Sequence, residues 1–262
     1  MNAVRKFAEQ IPGMRPAVRM VRKIGYWLRY QRIIPRLYPA DTDMHLIRFG
    51  PHGDGGYLIP DDLVGISACF SPGVSLISGF EKDCADRGMR VYLADASIDA
   101  PAESHHLFEF SKTFIGGYSR ENFITLDQWV AKSSEETSND FMMQMDIEGY
   151  EYEALSAVSV ELMKRFRIIV IEFHGVDNLD RNKARVFKKL LNTHTCVHIH
   201  PNNCCGFVRL FNIEIPRVME FTFLRKDRIK NSFYRRDFPH PLDSDNTSNP
   251  SLPLPACWYH QE

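Results

Sequence analysis

Short apolar runs alternate with amphipathic segments along most of this chain. The run at 168–173 is the clearest buried strand, because its β-branched residues are continuous and charged segments flank it. Similar runs predict further strands at 66–70, 91–95, 141–146, 196–200 and 218–225. Helices are predicted between them at 78–88, 124–132, 150–164 and 180–192. Strands that alternate with helices predict an α/β fold with a doubly wound, mostly parallel sheet.

The last two predicted strands break this alternation. Only a loop at 201–217 separates them, which predicts an antiparallel hairpin at one edge of the sheet. A mostly parallel, seven-stranded sheet that ends in such a hairpin is the Rossmann-like layout of class I methyltransferases that use S-adenosylmethionine (SAM). The pattern therefore resembles that fold, although a fold by itself supports a function only weakly.

Both ends of the chain differ in composition from its middle. Residues 1–40 hold nine basic groups and one acid, Glu9, and we expect Pro12 and Pro16 to interrupt any long helix there. Residues 231–262 are rich in Pro, Ser, Asn and Asp, which predicts an irregular tail. The chain thus divides into a basic helical arm at 1–40, an α/β domain at 41–230 and a tail at 231–262.

Charge and cysteine content limit the function classes. The net charge is −1, yet the arm carries +8, so the remainder is acidic. Because the acidic part has no basic patch interleaved with aromatic residues, we do not expect a nucleic acid substrate. No apolar run approaches the roughly 20 residues that span a bilayer, and the N-terminus lacks the apolar core of a secretory signal. The six scattered cysteines form no CxxC pair, so we expect reduced thiols and a cytoplasmic protein.

The arm itself is open to several interpretations. Its basic residues are mixed with aromatic and aliphatic ones, so it could lie peripherally on the inner, anionic face of the membrane. A helical extension that packs on its own domain, or on a second subunit of a homodimer, would show the same pattern.

The most informative stretch is 142–155, where an apolar run ends in Asp146-Ile147-Glu148-Gly149 and a helical pattern begins. Carboxylates in this position lie at the carboxyl end of a strand, which is the rim where open α/β sheets bind ligands. Glu172 and His174 end a neighbouring strand, so we expect these groups to face one pocket. Histidine is suited to proton removal near neutral pH, while the carboxylates could orient it or bind a divalent metal.

Two positions predict contact with a nucleotide. Ser71 and Gly73 lie in the first strand-to-helix turn, where Gly73 lets the backbone approach a ligand closely. Asp95 ends the next strand roughly 20 residues later, where an acid can accept hydrogen bonds from ribose hydroxyls. Each feature alone is also typical of an ordinary turn, but together they favour ribose binding.

His198 and His200 form a second candidate group. Residues two apart in a strand face the same side, so the pair could join Asp146 in a metal site. Polar edge residues followed by an Asn-rich turn are the simpler interpretation. We therefore commit to no metal, although a divalent metal stays open.

The run 146–151 (DIEGYE) resembles the DIEGxE signature of the FkbM family of SAM-dependent methyltransferases. The resemblance extends over about residues 45–225 and includes Gly53-Asp54-Gly55-Gly56-Tyr57, Phe80-Glu81, Asp95, Thr125-Leu126-Asp127 and Ile171-Glu172-Phe173-His174. Gln144 stands where the family often has Lys, and the usual glycine fingerprint is reduced to Gly73.

The resemblance implies a SAM-dependent O-methyltransferase that acts on a hydroxyl of a sugar in a cell-surface or lipid-linked glycan. The residues implied for SAM binding are Asp54, Gly55, Ser71, Gly73, Asp95 and Asp146. Catalysis would fall to His174 as the general base, with Asp146 and Glu172. The alternatives are an N-methyltransferase on an amino sugar or small amine, and a non-catalytic binding or assembly protein with the same fold.

Overall fold

The computed structural model describes residues 14–74, 77–134 and 139–260. Its helices are α1 (Met14–Leu37), α2 (Gly79–Asp86), α3 (Leu126–Ser133), α4 (Glu151–Ala157), α5 (Val160–Arg165) and α6 (Arg181–Thr193). Its strands are β1 (Ala40–Thr42), β2 (Leu46–Phe49), β3 (Tyr57–Pro60), β4 (Ile66–Pro72), β5 (Arg90–Ala94), β6 (Phe108–Ser111), β7 (Phe114–Gly116), β8 (Phe123–Thr125), β9 (Asp140–Met145), β10 (Phe166–His174), β11 (His194–Pro201), β12 (Phe207–Leu210), β13 (Ile213–Pro216), β14 (Val218–Arg225) and β15 (Ser232–Tyr234).

The central sheet has seven strands in the order β11-β14-β10-β9-β4-β5-β6. The strands from β10 to β6 run parallel, while β14 is antiparallel to both β10 and β11. The predicted α/β sheet with an antiparallel pair at one edge is therefore confirmed. The chain builds outward from β4 in one direction and from β9 in the other, so the topological switch point, where such sheets bind ligands, lies between β4 and β9.

Strand β10 shows why its sequence is continuously apolar. Ile169, Ile171 and Phe173 pack into the core on one face of the sheet, and Ile168 and Val170 pack into the core on the other. A central strand covered on both faces cannot alternate with polar residues. The same double burial fixes the position of the two groups that end the strand, Glu172 and His174.

Several sequence predictions need correction at the level of elements. The predicted helix at 150–164 is two helices, because the Ser159 hydroxyl accepts a hydrogen bond from Leu162 N and starts α5 anew. The predicted loop at 201–217 contains the β12–β13 hairpin. The segment before residue 60 contains the β2–β3 hairpin. Strand β6, at one edge of the central sheet, is not predicted by the sequence pattern.

Helix α1 is longer than the sequence suggested. It runs for 24 residues from Met14, so Pro16 does not interrupt it. Pro16 lies in the first turn, where backbone N–H groups have no acceptor within the helix and proline costs little. Pro12 lies outside the described residues. The second half of α1 packs on the domain through Tyr30, Ile33, Ile34 and Leu37, all of which are buried.

The segment after β15 is irregular but packs back on the domain. Trp258 is buried and donates from Nε1 to the backbone oxygen of Glu214 at 2.9 Å. Asn203 donates from Nδ2 to the backbone oxygens of Thr247 and Asn249 at 3.1 and 2.9 Å. Within the described residues, every helix is too short or too polar to cross a bilayer.

Candidate active site

A cavity of about 660 Å³ opens between the carboxyl ends of β4, β5 and β9. This lies within the range of roughly 300–1,000 Å³ that is usual for small-molecule sites. Its lining combines four acids with aliphatic and aromatic side chains: Asp54, Gly73, Val74, Ala94, Asp95, Ser97, Ile98, Phe114, Ile115, Phe123, Asp146, Ile147, Glu148 and Tyr150. The cavity therefore occupies the switch point of the sheet.

Gly73 lies at the floor of this cavity, where there is no space for a side chain. Its φ is +89°, and a Cβ atom there would lie 1.5 Å from the backbone oxygen of Asp146. The two strand ends are joined here, since Asp146 N donates to Pro72 O at 3.2 Å. Gly73 N in turn donates to Ala94 O at 3.0 Å. Only glycine allows the loop after β4 to pass this close to the end of β9.

Asp95 has one carboxylate oxygen available to a ligand. Its Oδ1 accepts hydrogen bonds from the Ser97 backbone N at 2.7 Å and from Ser97 Oγ at 2.6 Å. In the described structure Oδ2 has no such partner, and the side chain lines the cavity. Apolar side chains such as Ile98 and Phe123 line the same cavity as Asp95.

The other residues predicted to bind the cofactor are placed differently. Asp54 lines the cavity, but Gly55 does not. Ser71 is fully buried below the cavity, with Oγ at 2.5 Å from Glu81 Oε1 and 2.7 Å from Gln144 Oε1. The Ser71 side chain therefore does not line the cavity, and contact between Ser71 and a cofactor stays a prediction.

Gln144 and Glu81 explain how this buried polar layer is satisfied. Burial raises the pKa of Glu81. The Ser71 hydroxyl can donate its one proton either to Glu81 Oε1 or to Gln144 Oε1, and Gln144 Nε2 donates to the Tyr57 hydroxyl at 3.4 Å. An amide at position 144 fits this chain because it both accepts and donates.

His174 stands at the end of β10 among three carboxyl groups. Its Nδ1 is 3.1 Å from Glu151 Oε1. Its Nε2 is 3.4 Å from Glu148 Oε2 and 3.5 Å from Glu172 Oε1. The prediction that the acids at the ends of β9 and β10 lie together around His174 agrees with this geometry.

Glu151 is the site residue that the sequence analysis missed. It is fully buried at the first position of α4, and its Oε1 also accepts a hydrogen bond from Gly149 N at 2.8 Å. A carboxyl group held in this way fixes the ring of His174 and favours a proton on Nδ1. Its position as the last residue of the DIEGYE run was the available signal.

Burial and like charges raise the pKa of two carboxyl groups of the site, Asp146 and Glu172. Burial raises the pKa of Asp146 to about 7, against the lowering effect of His174. Burial, with the charges of Asp146 and Glu220, raises the pKa of Glu172 to about 10. Burial lowers the pKa of His174, but the hydrogen bond to Glu151 and the surrounding acids outweigh it and raise the pKa above its ordinary value.

Two clusters that contain histidine are candidates for a metal site, one around His174 and one at His198 and His200. Asp146, Glu148 and His174 each offer one ligand atom, and these atoms lie within 4.8 Å of one another. His198 and His200 do not join them: His198 Nε2 is 2.9 Å and His200 Nδ1 is 3.7 Å from the carboxylate of Asp243. The suggestion that this pair binds a metal with Asp146 is therefore wrong, because the two histidines instead contact the carboxylate of Asp243 in the tail.

The acidic rim continues away from the cavity. Glu220 lies opposite Glu172 in the β10–β14 pair and is buried. Asn202 Nδ2 donates to both oxygens of Glu172 at 3.2 and 3.3 Å, and Asn246 Nδ2 donates to Glu220 Oε1 at 2.6 Å. A ligand that leaves the cavity along this rim would meet carboxyl and amide groups.

Comparison with known families decides the relationship. The family model described as the methyltransferase FkbM domain matches residues 66–200, which is 135 of the 262 residues. The chain belongs to the FkbM methyltransferase family. The resemblance seen in the sequence and the prediction of a methyltransferase are thereby confirmed. The FkbM domain runs from β4 into β11 and contains Asp95, Asp146 and His174, whereas α1, the β2–β3 hairpin and the tail lie outside it. A search of curated proteins found no match.

Proposed function

We propose that the protein is a SAM-dependent O-methyltransferase that acts on a hydroxyl group of a sugar. The observation that carries the proposal is the placement of His174, held by Glu151, beside a cavity that contains Asp95 at the switch point. The cavity supports a nucleotide cofactor, and the histidine supports removal of a proton from a hydroxyl.

The residues present fit SAM. Asp95 Oδ2 would accept hydrogen bonds from the ribose hydroxyls, and apolar side chains such as Phe123 would contact the adenine. Asp54 and Asp146 line the same cavity and would meet the ammonium group of the methionine portion. SAM supplies an electrophilic methyl group on a positively charged sulfur.

His174 would act on the acceptor. His174 Nε2 would accept the proton that the acceptor hydroxyl loses when it is methylated, with the electrons of the broken carbon–sulfur bond retained by S-adenosylhomocysteine as the leaving group. Glu151 at Nδ1 stabilises the imidazolium that forms, because a carboxyl oxygen accepts the second ring N–H. Glu172, 3.5 Å from Nε2, is placed to orient the hydroxyl. The acceptor must approach Nε2 closely, since proton transfer needs a heavy-atom distance of about 2.6–3.2 Å.

The charge of the rim favours an uncharged acceptor with several hydroxyls. Carboxyl groups of the rim that are ionised would repel a phosphate or carboxylate group, and the carboxyl oxygens of Asp146, Glu148 and Glu172 can all accept hydrogen bonds from hydroxyls. The same acids would also attract a protonated amine, so N-methylation of an amino sugar or small amine is the second candidate. We further propose that the acceptor is part of a cell-surface or lipid-linked glycan and that the protein acts in the cytoplasm.

Calorimetry and product analysis test the proposal together. We expect SAM and S-adenosylhomocysteine to bind, and mass spectrometry of sugars incubated with labelled SAM to place the new methyl group on oxygen. His174→Ala should lower turnover by about 10²–10⁴-fold while SAM affinity changes little. A methyl group on nitrogen would select the second candidate, and failure of SAM to bind would select the non-catalytic alternative.

A chelator experiment tests whether turnover requires a metal. If Asp146, Glu148 and His174 hold a divalent ion, a chelator should abolish turnover and an added divalent ion should restore it. Unchanged turnover in chelator would leave His174 as the base without a metal.

A further inference from the structure

Helix α1 carries an apolar stripe that the described part of the protein leaves exposed. Met20, Val21, Ile24 and Leu28 have exposed fractions of 51%, 70%, 41% and 43%. Val21, Ile24 and Leu28 lie one, four and eight residues after Met20, which places all four on one side of the helix. The domain covers a different side of α1, through residues such as Tyr30 and Ile34. The helix thus has two apolar sides, of which its own domain uses one.

The exposed stripe lies among basic residues. Residues 18–37 contain six basic groups and no acid: Arg19, Arg22, Lys23, Arg29, Arg32 and Arg36. The ion pairs among the described residues involve other basic groups. Arg29 donates to the backbone oxygen of Leu179, and Arg22 contacts the Tyr26 hydroxyl. Among the described residues, these basic groups therefore have no carboxylate partner.

A neighbouring aromatic residue extends the stripe. Phe211, at the tip of the β12–β13 hairpin, is half exposed, and its ring centroid is 6.0 Å from that of Trp27. The indole Nε1 of Trp27 donates to Asn212 Oδ1 at 3.0 Å, which fixes the hairpin tip against α1. Aromatic side chains are enriched where proteins meet the surface of a bilayer.

We propose that this face of α1, with Phe211, docks on the surface of an anionic lipid bilayer. The apolar side chains would enter the boundary between head groups and acyl chains while the basic groups meet the anionic head groups. A second copy of the chain fits less well, because a symmetric contact would bring two sets of six positive charges together without an acidic partner. This docking goes beyond the proposed methyl transfer and does not depend on it.

The docking helix is tied to the active site. Tyr30 donates from its hydroxyl to Val176 O at 2.5 Å and accepts from Leu179 N at 3.1 Å. Both partners belong to the loop that follows His174. A bilayer that holds α1 would therefore also hold the segment that leads out of the catalytic rim.

Co-sedimentation with vesicles tests the proposal. The probes are vesicles of phosphatidylcholine alone and of phosphatidylcholine with phosphatidylglycerol, at low and high salt. We expect binding to the anionic vesicles that falls with salt, because surface charges are screened over about 10 Å at 0.1 M. Lys23→Ala with Arg32→Ala, which removes an exposed basic group on each flank of the stripe, should weaken it by about 25-fold, since each basic group near such a surface contributes roughly fivefold. Val21→Ser with Ile24→Ser should weaken it by at least tenfold.

Matched substitutions elsewhere serve as controls. Val64→Ser removes an apolar side chain that is 93% exposed in the loop before β4, and Arg90→Ala with Lys132→Ala removes two exposed charges from the domain. These should leave vesicle binding unchanged, and circular dichroism should show that every variant is folded. Equal partitioning of the wild type into neutral and anionic vesicles would overturn the proposal, as would absence of binding. A concentration-dependent dimer in ultracentrifugation that the Val21/Ile24 variant abolishes would also overturn it.

Discussion

At the scale of single residues, the site is built from side chains whose other hydrogen bonds are already made. Asp95 uses Oδ1 to hold Ser97, and the Oδ2 atom remains for a ligand. His174 uses Nδ1 to meet Glu151, and the Nε2 atom faces the acids of the rim. Fixing one end of each side chain reduces the entropy lost when the other end binds.

Asp95→Ala should weaken the affinity for SAM about ten- to a hundredfold. A charge-assisted hydrogen bond to a ribose contributes roughly 1.5–3 kcal/mol, and each 1.4 kcal/mol corresponds to a factor of about ten. Ser97→Ala is the control, because it removes one local hydrogen bond to Asp95 but keeps the carboxylate. Calorimetry would measure both, and an unchanged affinity of a folded Asp95→Ala protein would remove Asp95 from the site.

The pH dependence of turnover should report the pair of His174 and Glu151. A general base works only when it is deprotonated, so turnover should rise as pH passes through the pKa of His174. That pKa lies above the ordinary value of about 6.5. Glu151→Gln removes the group that raises it most, so the rising limb should move to lower pH and maximal turnover should fall.

Glu153→Gln is the matched control for this prediction, since Glu153 is exposed on the same helix. It should leave the pH profile in place. If Glu151→Gln lowers turnover without moving the limb, Glu151 does not act through the protonation of His174.

The sequence could predict the positions of those candidate site residues that lie at a strand end. Asp95, Asp146 and His174 follow apolar runs, and the carboxyl edge of a parallel sheet brings such residues together. Ser71 shows the limit, because whether a side chain in a turn points into the cavity or beneath it depends on the neighbours Glu81 and Gln144. Glu151 was missed for a related reason: an acid at the start of a helix is usually only a favourable charge there.

At the scale of elements, the approach of β4 to β9 determines the floor of the cavity. Gly73→Ala would place a methyl group in the space of the Asp146 carbonyl and would strain a residue with φ of +89°. We expect the free energy of unfolding to fall well beyond the roughly 1 kcal/mol that the backbone conformation alone costs. SAM affinity should fall with it.

Gly88→Ala separates the cost of a positive φ from the cost of a steric clash. Gly88 has φ of +84°, but a Cβ atom there would meet nothing within 4 Å. It should therefore show only the conformational cost in a urea titration. Equal losses for the two substitutions would mean that β4 and β9 move apart without difficulty.

The elements that the sequence predicted well are those with a strong pattern. Strand β10 is apolar on both faces, and the Thr125 cap of α3 accepts from Gln128 N as expected of a capping residue. Strand β6 was missed because its sequence, FEFS, is short and half polar and lies at an edge of the sheet. The break between α4 and α5 depends on a single hydroxyl, which a helical period cannot show.

At the scale of the whole molecule, buried acids should make stability depend on pH. Asp146 and Glu220 have pKa values of about 7 and Glu172 of about 10, each raised chiefly by burial. Between the ordinary carboxyl pKa of about 4 and these values, the folded state holds more protons than the unfolded state. The stabilisation from these groups is complete below about pH 4 and is lost as pH rises through the raised values.

We therefore expect the free energy of unfolding, measured in urea, to fall from about pH 4, most steeply up to about pH 7 and less steeply from there toward pH 10. Glu172→Gln should flatten the upper part of this curve, because a glutamine does not ionise. Glu161→Gln, which changes an exposed residue of α5, should not change it. A free energy of unfolding that rises from pH 7 to 9 would contradict the prediction.

At the scale of the whole molecule, the sequence pattern could not predict which residues far apart in the chain contact each other. His198 meets Asp243 across 45 residues, and Tyr30 meets Leu179 across 149. Periodicity reports which side of its own element a residue occupies, but not the partner that will cover it. The contacts of helix α1 and of the tail with the domain are therefore visible only in the folded chain.

The position of Trp27 gives the protein an optical reporter. Of the three tryptophans, Trp129 and Trp258 are each only 1% exposed, whereas Trp27 is half-buried at the junction of α1 and the β12–β13 hairpin. Indole emission shifts to shorter wavelength when water around the ring is replaced by hydrocarbon, and the two buried rings have little water to lose. A blue shift on adding anionic vesicles would come from Trp27, so the unlabelled protein can be watched as it arrives at a membrane.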